Sequence, residues 1–248
     1  MVVIQAIVSS EMIATTNNEF CMMSGNSLHY VAPVSLITGN DDEQQMAILA
    51  QENRLLFGDD EFDRWVGVGE ICQAIDNIVE IERETGFFKG KTVLEVGFTS
   101  GLPSVYAMKH GAKSVTIYNE SNSLMDAYVK PTMRRNNLNE NVEYLIGDFE
   151  NLKTILENRK FDVIIAPEMV NTKLSYFEES HDILDQILAD DGIIFFSGRT
   201  HYNNCDGNMP AMLDLIKSKN RFDVIDRSQL FTNQTVPRKI VQLSRKFI

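Results

Sequence analysis

Basic residues are scarce at the start of this chain: no Lys or Arg precedes Arg54. A secretory leader opens on basic residues and carries a longer apolar core than MVVIQAIVSS. That opening is therefore expected to be a strand, Val2 to Val8. Long hydrophobic runs are missing too. None approaches the ~20 residues of a membrane span, so no membrane partner is expected. Cysteine is sparse. Cys21, Cys72 and Cys205 are odd in number and scattered, without a CxxC pair. That excludes a disulfide framework and fits a reducing compartment, cytoplasm or nucleus. His29, His110, His181 and His201 show no metal-ligand spacing, and no metal is expected. Positive charge is in deficit: 23 Lys+Arg against 35 Asp+Glu leave a formal net charge of −12. Binding a phosphate backbone rests on Lys and Arg, so direct nucleic-acid contact is not expected. A small molecule or a basic protein remains open. Two glycine signatures are absent. GxxxxGK[ST] does not occur, and GxGxxG fails because Thr99 stands where its second glycine would be. The first absence excludes a P-loop; the second removes the pyrophosphate fingerprint.

What is present reads as an α/β domain behind an extension. Residues 1–60 are acid-biased and rich in Asn, Ser, Thr and Met. Leu28, Tyr30, Ala32, Val34 and Leu36 alternate as a strand, with Pro33 making it an edge. Glu43–Phe57 reads as a short helix. From residue 61 to 248 a second unit follows. Asp63-Arg64-Trp65-Val66-Gly67-Val68-Gly69 leads into a helix expected over Glu70–Thr85. Strands are then expected at Thr92–Val96, Ser114–Tyr118, Val142–Ile146, Phe161–Ala166, Ile193–Phe196, Phe222–Ile225 and Lys239–Leu243. Helices are expected at Leu102–His110, Ser123–Arg135 with a break at Pro131, Leu152–Asn158, Tyr176–Ala189 and Pro210–Lys217. Such alternation implies a parallel sheet with right-handed crossovers and helices on both faces.

The stretch around which this unit is organised is KTVLEVGFTSG, Lys91 to Gly101. An apolar strand ends in a glycine turn and re-enters helix-compatible sequence, the opening of a nucleotide-binding βαβ unit. Glu95 lies two residues before Gly97. Glu120 ends the next strand, about twenty residues on, where an acid accepts hydrogen bonds from ribose hydroxyls. A turn flanked by two acids, without the pyrophosphate signature, suits S-adenosylmethionine better than NAD. Taken alone, the stretch is equally a buried strand with an ordinary glycine turn. Glu95, Gly97, Glu120, Asp148, Glu168 and Ser197 all fall at carboxyl ends of strands, where ligands of open α/β sheets bind.

These residues resemble the class I, seven-β-strand S-adenosylmethionine-dependent methyltransferases, and most closely the protein-histidine N-methyltransferases. The resemblance runs from Trp65 to about Phe222. It is carried by Trp65, GKTVLEVGFTSGLPS (Gly90–Ser104), Glu120-Ser121-Asn122, Val129-Lys130-Pro131-Thr132, Gly147-Asp148-Phe149, FDVIIAPEMVN (Phe161–Asn171) and Gly198-Arg199-Thr200-His201-Tyr202. It implies a Rossmann-like, doubly wound, mostly parallel sheet in order 3-2-1-4-5-7-6 with strand seven reversed. It also implies an S-adenosylmethionine site. Glu95 and the Gly97–Gly101 turn, with Thr99, would hold the methionine end. Glu120 would hold the ribose and Asp148 the adenine edge, Trp65 would lie beside the cofactor, and Asn122, Phe149 and Pro167 would also belong to the cofactor site. Thr99 departs from the family's glycine, Ser121 from an aromatic, and Asn171 from a Tyr or Phe.

Methyl transfer from a sulfonium is an in-line displacement, so the protein's task is orientation. A histidine acceptor is mostly neutral near pH 7, with an unperturbed pKa of about 6.5. A lysine acceptor must first lose a proton. Glu168, Asn171, His201 and Tyr202, after the fourth and fifth strands, are the residues expected to orient an acceptor and take its proton. The resemblance implies a protein substrate, a basic ribosomal protein leading, and a monomeric enzyme. A lysine-directed or small-molecule methyltransferase, a partner-binding relative without catalysis, and an NAD-dependent oxidoreductase are the other readings.

Overall fold

The computed structural model describes residues 15–33, 64–228 and 236–246. The strand expected at Val2–Val8, the helix at Glu43–Phe57 and the unit boundary near residue 60 lie outside the described residues.

A hairpin comes first. β1 (Thr15–Cys21) pairs antiparallel with β2 (Ser27–Pro33), in register from Thr15↔Pro33 to Cys21↔Ser27. β2 occupies the alternating stretch expected to be a strand. β1 was not anticipated, because TTNNEFC has the polar composition of a loop. Its Phe20 supplies the apolar contact, packed partly buried against the core.

Helix α1 is already formed at residue 64 and runs to 76 before a π-turn, Asn77–Ile81. The sequence pattern starts this helix at Glu70 because Gly67 and Gly69 disfavour helix. Close approach explains both glycines. A Cβ at Gly67 would collide with the Glu168 carboxylate, and one at Gly69 would stand 3.0 Å from the Phe20 ring. Trp65 therefore lies inside α1, not in a segment ahead of it.

Among the described residues seven strands form one sheet. They are β3 (Thr92–Glu95), β4 (Ser114–Asn119), β5 (Val142–Ile146), β6 (Phe161–Ala166), β7 (Leu188–Arg199), β8 (Phe222–Asp226) and β9 (Arg238–Arg245). Their order is β5-β4-β3-β6-β7-β9-β8, and β9 runs antiparallel to both neighbours. This is the 3-2-1-4-5-7-6 arrangement with its reversed seventh strand. The central strands are apolar on both faces, as parallel strands covered by helices must be. Val93, Val163 and Ile165 face a core shared with α1 and α2 (Leu102–Lys109). Their neighbours Leu94 and Ile164 face a second core with α6 (Phe177–Ile187) and α7 (Met209–Lys219). That split follows from the two-residue period of a strand.

The helix expected to break at Pro131 yields one turn earlier. α3 (Asn122–Leu124) passes through a π-turn, Met125–Val129, into α4 (Lys130–Arg135), where Pro131 occupies the first turn. The π-turn just before it is where the run departs from regular α-helix. α5 (Phe149–Ile155) begins three residues before its expected start. No helix among the described residues is long and apolar enough to cross a membrane.

Candidate active site

The carboxyl ends of β3, β4 and β6 open into a cavity of about 310 Å³. Its walls are the turn residues Val96–Thr99, the β4 end Tyr118–Ser121, and Glu168, Met169, Asn171 and Thr172 beyond β6. Leu124, Leu152 and Ser180 close it on the helical side, and Arg64 on the α1 side.

The turn is held from beneath. Glu95 is fully buried. One carboxylate oxygen accepts from the Ser100 and Gly101 amides at 2.8 and 2.9 Å; the other accepts from the Ser104 amide at 3.1 Å and its hydroxyl at 2.6 Å. Burial pushes this carboxyl up from its ordinary value, while those donors pull it down. Glu95 is not among the residues lining the cavity. It shapes the turn that does line it. Gly97 is required twice: its φ is +87°, and a Cβ would stand 2.6 Å from the Pro167 carbonyl. That same carbonyl accepts the Phe98 amide at 2.8 Å. Pro167 thus sets the edge of the turn from behind. Gly101, at φ +81°, starts α2.

Thr99, which departs from the family's glycine, is accommodated by a neighbour. Its hydroxyl accepts from Asn119 Nδ2 at 2.5 Å, and Asn119 Oδ1 accepts the Ser121 amide at 2.7 Å. These bonds tie the tips of β3 and β4. Glu120 follows, an exposed side chain lining the cavity. Beneath it the Tyr118 hydroxyl donates to the carbonyls of Gly147 and Asp148. Burial, then the charges of Glu120 and Asp148, push that phenol to about 12.

Several expected residues lie elsewhere. Trp65 is buried in an aromatic cluster with Tyr30, Phe98 and Tyr128, and does not itself line the cavity. Asn122 opens α3 as an exposed residue, and Asp148 stands exposed at the start of α5; neither lines the cavity. Asp148 contributes its carbonyl, which accepts from the Tyr118 hydroxyl. The Phe149 side chain lies outside the described residues.

Beyond β6 the four expected catalytic residues separate. Glu168 lines the cavity in a left-handed conformation, φ +53°, rare for a residue with a side chain. Both oxygens of its carboxylate are engaged. Arg238 Nε donates to Oε1 at 2.6 Å, and the Tyr202 hydroxyl donates to Oε2 at 2.8 Å. Burial pushes the Glu168 carboxyl up from its ordinary value, against the pull of Arg238. Arg238 is also paired with Glu70 of α1 at 3.1 Å. Tyr202 is buried, bonded to Glu168 and to the Arg199 amide, and does not line the cavity. Burial and the Glu168 charge push its phenol well up, so it is no base. His201 is exposed and outside the cavity wall. Asn171 alone offers a free group: its Oδ1 accepts from Cys205 Sγ at 3.4 Å, while its buried Nδ2 has no partner.

Sequence reading missed Arg64, Asn119 and Arg238. Arg64 precedes Trp65 and was visible within a motif already singled out. Asn119 precedes Glu120 likewise. Nothing in the pattern marked Arg238, whose partner Glu168 is 70 residues away. Among the described residues no cluster of three or more His, Cys, Asp or Glu could hold a metal ion.

Comparison with known proteins extends this geometry. An uncharacterized Caenorhabditis elegans protein is 38% identical over 234 residues, covering 94% of this chain and 95% of its own length. The chain belongs to one family with this nematode protein. More distant is a Dictyostelium discoideum histidine protein methyltransferase 1 homolog, 24% identical over 70% of this chain and 56% of its own length. A Bos taurus protein of the same name is 21% identical over 64% of this chain. The chain spans about half the length of those two relatives. No family model matches. Among solved structures, a T. thermophilus 16S rRNA methyltransferase in complex with AdoMet and guanosine covers 94% of this chain and 51% of its own, at TM-score 0.55 and 12% identity. An O-methyltransferase family protein from Burkholderia thailandensis covers 79% of this chain, at TM-score 0.50 and 16% identity. The fold is that of the class I S-adenosylmethionine-dependent methyltransferases.

Proposed function

We propose that this protein transfers a methyl group from S-adenosylmethionine to a protein side chain, with a histidine ring nitrogen as acceptor and a basic ribosomal protein as the leading substrate. The observation that carries the cofactor reading is the cavity itself. A tight turn that excludes a side chain at Gly97 and an exposed acid at Glu120 face one space at the carboxyl ends of β3 and β4. Those residues fit the cofactor: the turn for the methionine end, Glu120 for the ribose hydroxyls, and Phe98, Leu124, Leu152 and Met169 for its apolar surface.

When bound, the cofactor supplies an electrophilic methyl carbon on a sulfonium. The chain's residues supply position and dryness. Acceptor choice follows from charge. A lysine arrives as a cation and needs a base, yet the acid at this end, Glu168, is neutralised by Arg238 and held by Tyr202. A neutral imidazole needs no such base. Asn171 lines the cavity and carries a buried side-chain amide Nδ2 without a partner, a donor suited to fixing a ring or the peptide that carries it. The names of the two distant relatives support the same acceptor.

The first test follows thermal unfolding against S-adenosylhomocysteine. Ligand at about a hundred times its dissociation constant adds roughly 2.7 kcal/mol. A saturable shift that Glu120→Ala abolishes is expected. No shift at millimolar ligand leaves a partner-binding relative of the fold. Mass spectrometry of a basic, histidine-containing ribosomal protein incubated with labelled cofactor then tests the acceptor. Label on lysine overturns the histidine reading, and so does an Asn171→Ala variant with undiminished turnover.

A further inference from the structure

We propose that Arg64 is the carboxylate anchor of the cavity, and that the carboxylate it holds is that of the cofactor's amino-acid tail. The assignment rests on the cofactor reading above. Three observations carry it.

The first is a shortage of donors. A glycine turn ordinarily offers its backbone N–H groups to an anion. Here they are largely used. The Phe98 amide is bonded to the Pro167 carbonyl, and the Ser100 and Gly101 amides to Glu95. The Ser104 amide of the following helix is also taken by Glu95. The turn can shape the space for a carboxylate, but it keeps few donors to satisfy one.

The second is an unmet donor at the right place. Arg64 lines the cavity, and its Nε is buried with no hydrogen-bond partner. A buried N–H left unpaired is costly, more so on a charged group. Its guanidinium lies over the Phe98 ring, 5.7 Å from the centroid. Phe98 sits between Gly97 and Thr99, so the cation lies beside the turn itself. A guanidinium meets a carboxylate through its N–H fork.

The third is the sign of the rest of the wall. Among the described lining residues Arg64 is the sole Lys or Arg, against the acids Glu120 and Glu168. Glu168 already has Arg238. Glu120 lies at the β4 end, where the ribose would be. An incoming carboxylate is repelled by Glu120 and finds its favourable partner at Arg64. The acceptor side of the cavity, with Asn171, Thr172 and Ser180, lies beyond β6. Arg64 lies beside Phe98 of the turn, which favours the cofactor's tail over an acid of the substrate protein.

Isothermal titration of the full chain separates the possibilities. The probes are S-adenosylhomocysteine, which carries the amino-acid tail, and 5′-methylthioadenosine, which lacks it. Arg64→Met keeps the apolar stem over Phe98 and removes the charge. It is expected to weaken S-adenosylhomocysteine by about tenfold or more, the scale of a charge-assisted hydrogen bond, and to leave 5′-methylthioadenosine within about twofold. Arg64→Lys should fall between. Equal weakening of both ligands, or a lowered melting temperature without ligand, assigns Arg64 to local structure and overturns the proposal. Unchanged affinity for both overturns it as well, and assigns the cation to an acid of the substrate protein. If the unaltered protein binds neither nucleoside, the cofactor reading fails and this assignment fails with it.

Discussion

Gly97 shows what one missing side chain does at this site. A methyl group there meets a carbonyl oxygen at 2.6 Å on a backbone already at φ +87°. Gly97→Ala is expected to destabilise the fold by about 2 kcal/mol in urea unfolding and to remove S-adenosylhomocysteine binding. Full binding by the variant would show that the turn can relax. Glu168 is a different case, because its carboxylate is one half of a buried ion pair with Arg238. Removing one partner from such a pair costs up to about 3 kcal/mol, less here because Arg238 keeps Glu70. Glu168→Gln should therefore lower stability by less than that, and its loss of turnover should follow the fraction unfolded. A stable Glu168→Gln protein without turnover would return a proton-transfer role to this residue. At this scale the sequence made Gly97, Thr99, Glu120, Glu168 and Asn171 legible as members of one site, because strand ends are legible. It could not reveal that Glu95 braces the turn from beneath, or that Tyr202 is spent on Glu168. Those are hydrogen bonds, and hydrogen-bond partners leave no periodicity.

At the scale of elements the apolar pattern was sufficient for the strands of the parallel part of the sheet. The buried β6 and the half-exposed edge strand β5 have the bounds the sequence implies. β7 is longer than its apolar run because Leu188–Gly192 extend it through a polar stretch. α1 and β1 were misjudged for a common reason: local composition was overridden by packing across the chain, Phe20 against Gly69 and Glu168 against Gly67. Ionic ties between elements predict pH behaviour. Asp185, near the end of α6, is hydrogen-bonded by Arg245 of β9 and by Arg221 at 3.1 Å. Burial raises its carboxyl, but the two guanidinium groups outweigh burial and hold it below the ordinary value. A depressed native value means that the stabilisation is present above the unfolded value, about 3.9, and is lost as pH falls below it. Urea unfolding from neutral to strongly acidic pH should show a steep acid limb in the unaltered protein and a flatter one in Asp185→Asn. Identical limbs would exclude this clamp as a contributor.

For the whole molecule, charge is the dominant fact. A formal −12 sets a field that draws basic partners and is screened within about 8 Å at physiological salt. If the substrate is a basic protein, its KM should rise as salt is added, through slower encounter. The cofactor's dissociation constant, set inside the cavity, should stay within about twofold over the same range. A KM indifferent to salt would remove the electrostatic argument for a basic partner.

One tie in the molecule runs against the direction of synthesis. Arg238 opens β9, the strand inserted between β7 and β8, and it joins Glu168 of the cavity to Glu70 of α1. A nascent chain that has already made the glycine turn, both acids and six strands of the sheet still holds two carboxylates with no cation between them. The sheet can begin to assemble on the ribosome, but the far wall of the cavity cannot set until the strand carrying Arg238 threads into place. Competence to bind an acceptor should thus arrive in one late step, after the cofactor end is already built.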